Sequence, residues 1–112
     1  VQVTTERVAH HRHVDVGLGI IPADWPDGVF DVVVLSEVLY YLDPAGVRAT
    51  LDHAADSAAP DGELVAVHFR ELVPEHALPG DDVHAIIEAH TGWSREVRHL
   101  ESSFVLEVYR RR

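Results

Sequence analysis

The amino-acid sequence predicts an α/β layered fold, and three observations point to it. Phe30 to Leu35 is a continuous, mainly β-branched apolar run, typical of a strand buried on both faces of a parallel sheet. A helical pattern begins at Pro44 and leads into a second apolar run, Glu63 to Phe69. At the C-terminal end, WSREVRHL and SFVLEVYR are typical of two strands joined tightly at Glu101-Ser102, which predicts an antiparallel hairpin.

The first part of the chain is less regular. Thr4 to His11 can form a short helix end, and His13 to Leu18 alternates in the manner of a short strand. Gly19 to Gly28 contains two glycines and two prolines, which predicts a loop. The predicted order is therefore β-α-β-α-β followed by the hairpin, in a single domain that spans residues 1–112.

Local signals predict where the helices lie. Asp43 suits the N-cap position of the first helix and Pro44 its first residue. The apolar face of this helix is predicted to consist of Val47, Leu51, Ala54, Ala55 and Ala58. Asp61-Gly62 marks a turn, and Asp81 to His90 is predicted as a second helix.

Composition excludes several classes of partner and site. The formal net charge is -10, from 19 acidic and nine basic residues. Nucleic acid and anionic membranes need a basic face, so neither is expected as a partner, and Arg110 to Arg112 is predicted as a solvated tail. The absence of cysteine excludes disulfides and Cys-based zinc sites. No run reaches the ~18 apolar residues of a membrane span, so a cytoplasmic location is expected.

Two motifs carry little weight. VDVGLGII resembles a glycine-rich phosphate-binding turn, but Pro22 and Pro26 leave no room for the helix that such a turn must open. His10, His11 and His13 are grouped, yet surface histidines explain them better than a metal site. The sequence therefore predicts a loop and no metal centre.

The polar residues after the first apolar run are the strongest site candidates. In an open parallel sheet, ligands bind outside the C-terminal ends of the strands, which is where Ser36 and Glu37 fall. Two interpretations are open: Ser36 caps the turn that begins at Glu37, or the pair borders a ligand site. Tyr40 and Tyr41 are adjacent, so one is expected in the core and the other at the site, where a ring favours a cation.

Further candidates follow the second apolar run. His68 and Arg70 are two residues apart and share a face, and parallel pairing would bring them beside Glu37. A structural histidine and a site histidine are equally expected at this point. His76 and His84 flank a Pro/Gly loop, which is either a lid over this edge or a plain loop-to-helix junction.

Taken together, these residues resemble a known family. IPADWPDGVFDVVVLSEVLYYLD, a helix, APDGELVAVHFR, a helix and a hairpin resemble the second half of class I S-adenosylmethionine-dependent methyltransferases, in the nodulation-type (NodS-like) N-methyltransferase group. The resemblance covers nearly the whole chain. It implies a partial Rossmann-like sheet, with His13 to Leu18, Phe30 to Leu35 and Glu63 to Phe69 as the third to fifth strands. The hairpin would then be the sixth and seventh strands.

The resemblance also implies an activity and its residues. The activity is methyl transfer from S-adenosyl-L-methionine to a small-molecule acceptor, an amine or a sugar amine. The implied cofactor-binding residues are Ile20, Ile21, Leu35 and Ser36. The implied catalytic residues are Glu37, Tyr40 and His68. The implied acceptor-binding residues are Tyr41, Arg70 and His76. Ile20 stands where the resemblance implies an aspartate for the adenine amino group.

The family's first two strands, with the glycine-rich cofactor motif, have no counterpart in this sequence. The chain is therefore expected to correspond to a truncated C-terminal part that binds cofactor weakly by itself. One alternative is a non-catalytic remnant that self-associates as a homodimer through open sheet edges. Another is a half that is completed by an N-terminal fragment. A third is an unrelated α/β binding module.

Overall fold

The structure, a computed structural model, describes residues 13–112, which form four strands, two α-helices and one turn of 3-10 helix. The elements are β1 (Phe30–Ser36), the 3-10 turn η1 (Leu39–Tyr41), α1 (Pro44–Ser57), β2 (Ala58–Phe69), α2 (Gly80–Ala89), β3 (Trp93–Leu100) and β4 (Phe104–Arg111). The α/β class and the terminal hairpin that the sequence predicts are confirmed.

The four strands form one open, mixed sheet in the order β1-β2-β4-β3. β1 and β2 are parallel, whereas β2 with β4 and β4 with β3 are antiparallel. Ser36 lies opposite Val67, so the C-terminal ends of β1 and β2 meet at the same edge of the sheet. The predicted meeting of these two strand ends is therefore confirmed.

The helices cover one face of the sheet. α1 begins as predicted, because the Asp43 side chain accepts a hydrogen bond from the Gly46 N–H at 2.7 Å and Pro44 follows as the first residue. α2 begins at Gly80, one residue earlier than predicted. The core between helices and sheet includes Val47, Leu51, Ala54, Leu64, Ala66, Ile87, Trp93 and Tyr109.

Gly80 sets how closely α2 approaches the end of β2. A Cβ atom at this position would collide with the carbonyl oxygen of Phe69. Only glycine therefore allows the first turn of α2 to lie directly against the last residue of the strand. This approach places His84 of α2 beside His68 of β2.

The strand predicted at His13 to Leu18 is wrong. The segment has no regular structure, and Leu18 is among its exposed residues. In the described part of the chain no strand pairs with it, so its apolar alternation has no sheet to pack against. The helix end predicted at Thr4 to His11, and with it His10 and His11, lies outside the described residues.

β1 is not buried on both faces, as its apolar run predicts. It is an edge strand, and Val32 and Val34 are 52% and 60% exposed, while Leu35 on the helix side is buried. The opposite edge, β3, carries the charged residues Arg95, Glu96 and Arg98, whereas β1 has none from Val32 to Ser36. Charged side chains are the usual protection of a free edge, so β1 is an unprotected edge within residues 13–112.

The solvated tail predicted at Arg110 to Arg112 is also wrong. The Arg110 Nε lies 2.6 Å from a carboxylate oxygen of Glu96, and Arg111 and Arg112 donate hydrogen bonds to backbone carbonyls. β4 continues to Arg111, so these arginine side chains lie against neighbouring elements. Their hydrogen bonds join the hairpin to those elements.

Candidate functional site

The candidate site lies where β1 and β2 end. The backbone N–H of Glu37 donates to the carbonyl oxygen of Val67 at 2.9 Å, which extends the strand pairing by one residue. Ser36 is exposed at this edge. The N-cap residue of η1 is Val38, and no side chain caps the turn. The interpretation of Ser36 as a helix cap is therefore wrong.

Glu37 has an unusual backbone conformation. Its φ angle is 58°, in the left-handed region that side chains other than glycine rarely adopt. Such a residue costs on the order of 1 kcal/mol or more, and it persists only where the surroundings hold it. Glu37 is half-buried and held by its bond to Val67. Strain of this kind at a strand end is typical of functional positions.

The two tyrosines of η1 take different environments, as predicted. Tyr40 is 2% exposed, and its ring stacks on His76 with 3.6 Å between ring centroids. Tyr41 is 55% exposed and makes edge contacts with the rings of both Tyr40 and His76. The expectation that Tyr40 faces an acceptor is corrected, because His76 and His68 cover its ring. Tyr41 occupies the exposed position.

The loop between β2 and α2 is fastened to this turn. The N–H groups of Ala77 and Leu78 donate to the Tyr40 carbonyl oxygen at 2.7 and 3.2 Å. This contact places His76 against the two tyrosines, so the structure brings together two of the three predicted acceptor-binding residues. The Nδ1 atom of His76 is buried and has no hydrogen-bond partner among the described residues.

The third predicted acceptor-binding residue, Arg70, is occupied elsewhere. Its Nε and Nη2 atoms lie 3.0 and 3.1 Å from the two carboxylate oxygens of Asp81, and Nη1 donates to the Glu101 carbonyl oxygen at 2.9 Å. The hydrogen bond from Arg70 lowers the pKa of the Asp81 carboxyl. Arg70 therefore joins α2 to the hairpin, and the expectation that it faces an acceptor is corrected.

His68 is fully buried rather than exposed to an acceptor. Its Nε2 atom lies 3.2 Å from the backbone nitrogen of Leu39, and its Nδ1 atom lies 2.9 Å from Nε2 of His84. The Nδ1 atom of His84 in turn lies 2.6 Å from Oε1 of Glu107, which also accepts from the Tyr109 hydroxyl at 2.8 Å. Both nitrogens of His68 are engaged, so its predicted place at the acceptor is corrected.

The donor and the acceptor of each hydrogen bond between Leu39 and Glu107 follow from the first of these bonds, at Leu39. A backbone N–H can only donate, so Nε2 of His68 accepts from Leu39. A neutral His68 then carries its proton on Nδ1 and donates to His84, which donates from Nδ1 to the Glu107 carboxylate. Both histidines are therefore neutral and share the same tautomer.

The pKa values agree with this arrangement. Burial, together with the neighbouring His84 and His76, lowers the pKa of His68 to about 3. Burial alone raises the pKa of Glu107. Hydrogen bonds from His84, Tyr109 and Arg95 outweigh this effect and leave the pKa below its ordinary value. Glu107 thus stays ionised inside the core.

Sequence reasoning missed the roles of His84 and Glu107, although each carried a signal. Glu107 alternates with Val105 and Tyr109, which places a carboxylate on the buried face of β4. His84 is three residues before Ile87, on the buried side of α2. A charged or titratable residue on an apolar face needs a polar partner, and here His84 and Glu107 form a hydrogen bond with each other.

The predicted cofactor-binding residues are partly gathered. Ile21 and Leu35 line an open, mainly apolar groove of about 230 Å³, together with Trp25, Pro26, Phe30, Val32, Val33 and Val34. Ser36 follows Leu35 at the end of β1. Ile20 is largely exposed, and its backbone N–H donates to the Asp24 carboxylate at 2.8 Å. The structure therefore brings Ile21 and Leu35 together and leaves Ile20 outside the groove.

Residues 13–112 contain no group of three or more His, Asp or Glu side chains that could hold a metal ion. None of the helices described is both long enough and apolar enough to cross a membrane.

Solved structures share this fold. A protein from Pseudomonas syringae described as a methyltransferase is 35% identical and superimposes with a TM-score of 0.83, over 99% of this chain and 66% of that chain. The N-methyltransferase NodS from Bradyrhizobium japonicum WM9 is 23% identical, with a TM-score of 0.79 over 96% of this chain and 65% of that chain. NodS in complex with S-adenosyl-L-homocysteine gives 23% identity and a TM-score of 0.78, over 96% and 59%.

The chain thus has a partial Rossmann-like fold that matches the fold of methyltransferases. It spans 66% or less of the length of these structures. No family model matches the sequence, and no curated protein matches it significantly.

We expect Glu37→Gly to stabilise the fold. Glycine adopts a positive φ without steric cost, so the unfolding free energy should exceed that of Glu37→Ala by about 1 kcal/mol. Urea denaturation measures this difference. Ser36→Gly is the matched control, since glycine in a strand should be destabilising. Equal stability of Glu37→Gly and Glu37→Ala would show that the backbone at Glu37 is unstrained.

We expect the stability to fall as the pH decreases from 6.5 toward about 3, the ordinary and the folded-state pKa values of His68. Its pKa is lower in the folded state than in the unfolded state, so the unfolded chain binds more protons in this range. Stability is therefore complete above pH 6.5 and decreases toward lower pH by about 1 kcal/mol per unit. Denaturation across this range should show a flatter dependence for His68→Gln, and the wild-type slope for the exposed His53→Gln. An unchanged slope in His68→Gln contradicts the prediction.

Proposed function

We propose that the chain contributes to methyl transfer from S-adenosylmethionine to the nitrogen of a small-molecule amine. The observation that carries this proposal is the strained Glu37 at the end of β1, between an apolar groove and the exposed Tyr41. The fold of the neighbouring solved structures supports the choice of reaction. That NodS is an N-methyltransferase and has been solved with S-adenosylhomocysteine supports the choice of acceptor atom and cofactor.

The groove fits the apolar part of such a cofactor. Its lining is almost entirely apolar, and Ile21 and Leu35 would be among the side chains that line the place of an adenosine moiety. Ser36 would donate its hydroxyl to the polar end of the molecule. One carboxylate oxygen of Asp24 accepts a hydrogen bond from the backbone N–H of Ile20, which holds this side chain against its own loop. When bound, the cofactor supplies an activated methyl group.

The contribution of the chain itself is alignment of the acceptor. The Glu37 carboxylate would accept a hydrogen bond from the amine N–H and take up its proton, while the exposed ring of Tyr41 and the neighbouring His76 would hold the acceptor. Methyl transfer is an in-line displacement, so holding the two reactants in line supplies most of the rate. Tyr40 and His68, being buried, would act by holding this edge in place.

The proposal is tested by transfer of labelled methyl groups to a panel of small amines and matched alcohols. We expect amines to be methylated and Glu37→Gln to lower the rate by about 10²-fold, because the general base is lost. Glu63→Gln, at the other end of β2, should leave the rate unchanged. Methylation of alcohols alone, or full activity of Glu37→Gln, contradicts the assignment of Glu37.

An absence of methyl transfer in this assay could result either from weak cofactor binding or from a lack of catalysis. A separate measurement of cofactor binding distinguishes the two. Ile20→Asp supplies a carboxylate where Ile20 is exposed beside the groove, and a hydrogen bond to the adenine amino group should lower the Kd for S-adenosylhomocysteine by roughly tenfold. Leu18→Asp, at a residue that is also largely exposed, controls for added charge. If neither wild type nor Ile20→Asp binds S-adenosylhomocysteine in calorimetry, cofactor binding by this chain is excluded.

A second candidate function is self-association, and the unprotected edge β1 favours it. Val32 and Val34 form an exposed apolar row on β1, and no described strand pairs with the outer edge of β1. A second copy of the chain could pair its own β1 there, which would extend the sheet. A fragment that supplies neighbouring strands would cover the same edge.

We expect light scattering of the wild-type chain to give the mass of a dimer if self-association is the function. Val34→Lys should give a monomer, since a charge on this edge opposes pairing. Val97→Lys on the opposite edge, β3, is the matched control and should remain dimeric. A monomeric wild-type chain at high concentration contradicts this second candidate.

A further inference from the structure

A buried hydrogen-bond chain runs through the core and is not used by the proposed reaction. It begins at Arg95, whose Nη1 lies 3.0 Å from Oε2 of Glu107, and passes through His84 and His68 to the backbone of Leu39. Its members belong to β3, β4, α2, β2 and η1. The side chains of Glu107, His84 and His68 are almost completely buried.

Such a chain is a poor device for stability alone. Apolar side chains of similar volume often stabilise a core as well as buried polar groups do, because polar groups must first lose their hydration. A fully satisfied polar network instead selects one arrangement, because each donor must meet an acceptor. Here every link is satisfied, from the carboxylate of Glu107 to the N–H of Leu39.

The arrangement that this polar network selects is the conformation of the η1 turn. The turn is three residues long, and no side chain caps its N-terminal end. A single turn of this length is not stable by itself. The Nε2 atom of His68 accepts from the N–H of its first residue, Leu39, and thereby takes the place of a cap. The next two residues are Tyr40 and Tyr41, whose rings form the aromatic side of the candidate site.

We propose that Glu107, His84 and His68 are positioning residues, which fix the η1 turn and so the place of Tyr41 at the acceptor edge. This inference rests on the proposed function only in that it takes the edge at Tyr41 to be the acceptor edge. The hydrogen bonds from Glu107 to Leu39 do not depend on that function. Glu107 orients His84, His84 fixes the tautomer of His68, and His68 holds Leu39. All three side chains are buried, so none is exposed at the acceptor edge.

The tautomers test the chain in the unaltered protein. Nitrogen-15 NMR of labelled histidines at pH 7 should show His68 and His84 both protonated on Nδ1 and unprotonated on Nε2. The alternative, a proton on Nε2 of His68, would place two hydrogens between that atom and Leu39. An Nε2-protonated His68 or His84 therefore overturns the proposal without any substitution.

Substitution at the far end tests transmission to the turn. Glu107→Gln removes the carboxylate that orients His84, and we expect the Leu39 amide to exchange with solvent about tenfold faster and the Tyr41 ring resonances to shift. Glu96→Gln is the matched control, because it is the same change in an exposed ion pair of the same hairpin. Equal exchange rates and unshifted Tyr41 resonances in Glu107→Gln overturn the proposal.

A pair of substitutions at His68 separates positioning from general stability. Glutamine places its amide oxygen near the position of Nε2, so His68→Gln should keep the Leu39 amide protected. Asparagine reaches only the position of Nδ1, so His68→Asn should lose that protection while it keeps a contact with His84. If both variants lose protection equally, His68 acts only as a core residue and the proposal fails.

These measurements are made without cofactor or acceptor, so they stand apart from the test of methyl transfer. Correct tautomers together with absent transfer would remove the proposed function and leave the positioning of η1 intact. Transfer by the wild type that is unaffected in His68→Asn, in both kcat and the KM for the amine, would leave the function intact and remove the role of the chain.

Discussion

The hydrogen bond between the Leu39 N–H and Nε2 of His68 is the contact on which the candidate site depends. Strand pairing ends just after Ser36, and the chain must then leave the sheet. It does so through the left-handed backbone of Glu37, and the turn that follows has no side-chain cap of its own. Without His68, the buried N–H of Leu39 would have no acceptor, which costs about 1–3 kcal/mol. The exposed place of Tyr41 thus follows from a side chain on the neighbouring strand.

His68 can play this part because the core contains an ionised carboxylate. Burial opposes the charge of Glu107, but His84, Tyr109 and Arg95 all direct donors to it. His84 is thereby oriented with its lone pair toward His68. The C-terminal hairpin therefore contributes two strands to the sheet and also supplies Glu107, the acceptor that orients the buried histidines.

The sequence predicts those parts of the fold that rest on local signals. Asp43 and Pro44 define the start of α1, and the apolar runs define β1 and the second part of β2. The sequence does not predict the start of β2 at Ala58, since the strand includes Asp61-Gly62, which the sequence predicts as a turn. It does not predict which tyrosine is buried, since that depends on the stacking of His76 from a loop some 36 residues away. The sequence also does not predict the hydrogen bond between His68 and His84, because the two side chains meet only when α2 packs on the sheet. An apolar run likewise cannot reveal that one face of β1 stays open.

The distribution of arginines decides which ligands the edge would favour. Ion pairs to carboxylates occupy Arg70, Arg95, Arg98 and Arg110. Arg70, which follows the end of β2, is thus neutralised by Asp81, while Glu37 has no ion-pair partner among the described residues. Bulk salt screens the net charge of -10 beyond about 8 Å, so the local carboxylate matters most. Under the proposed function, a sulfonium and a cationic amine would both be attracted by Glu37 and the Tyr41 ring, whereas a phosphorylated acceptor would meet an Arg70 that is already paired with Asp81.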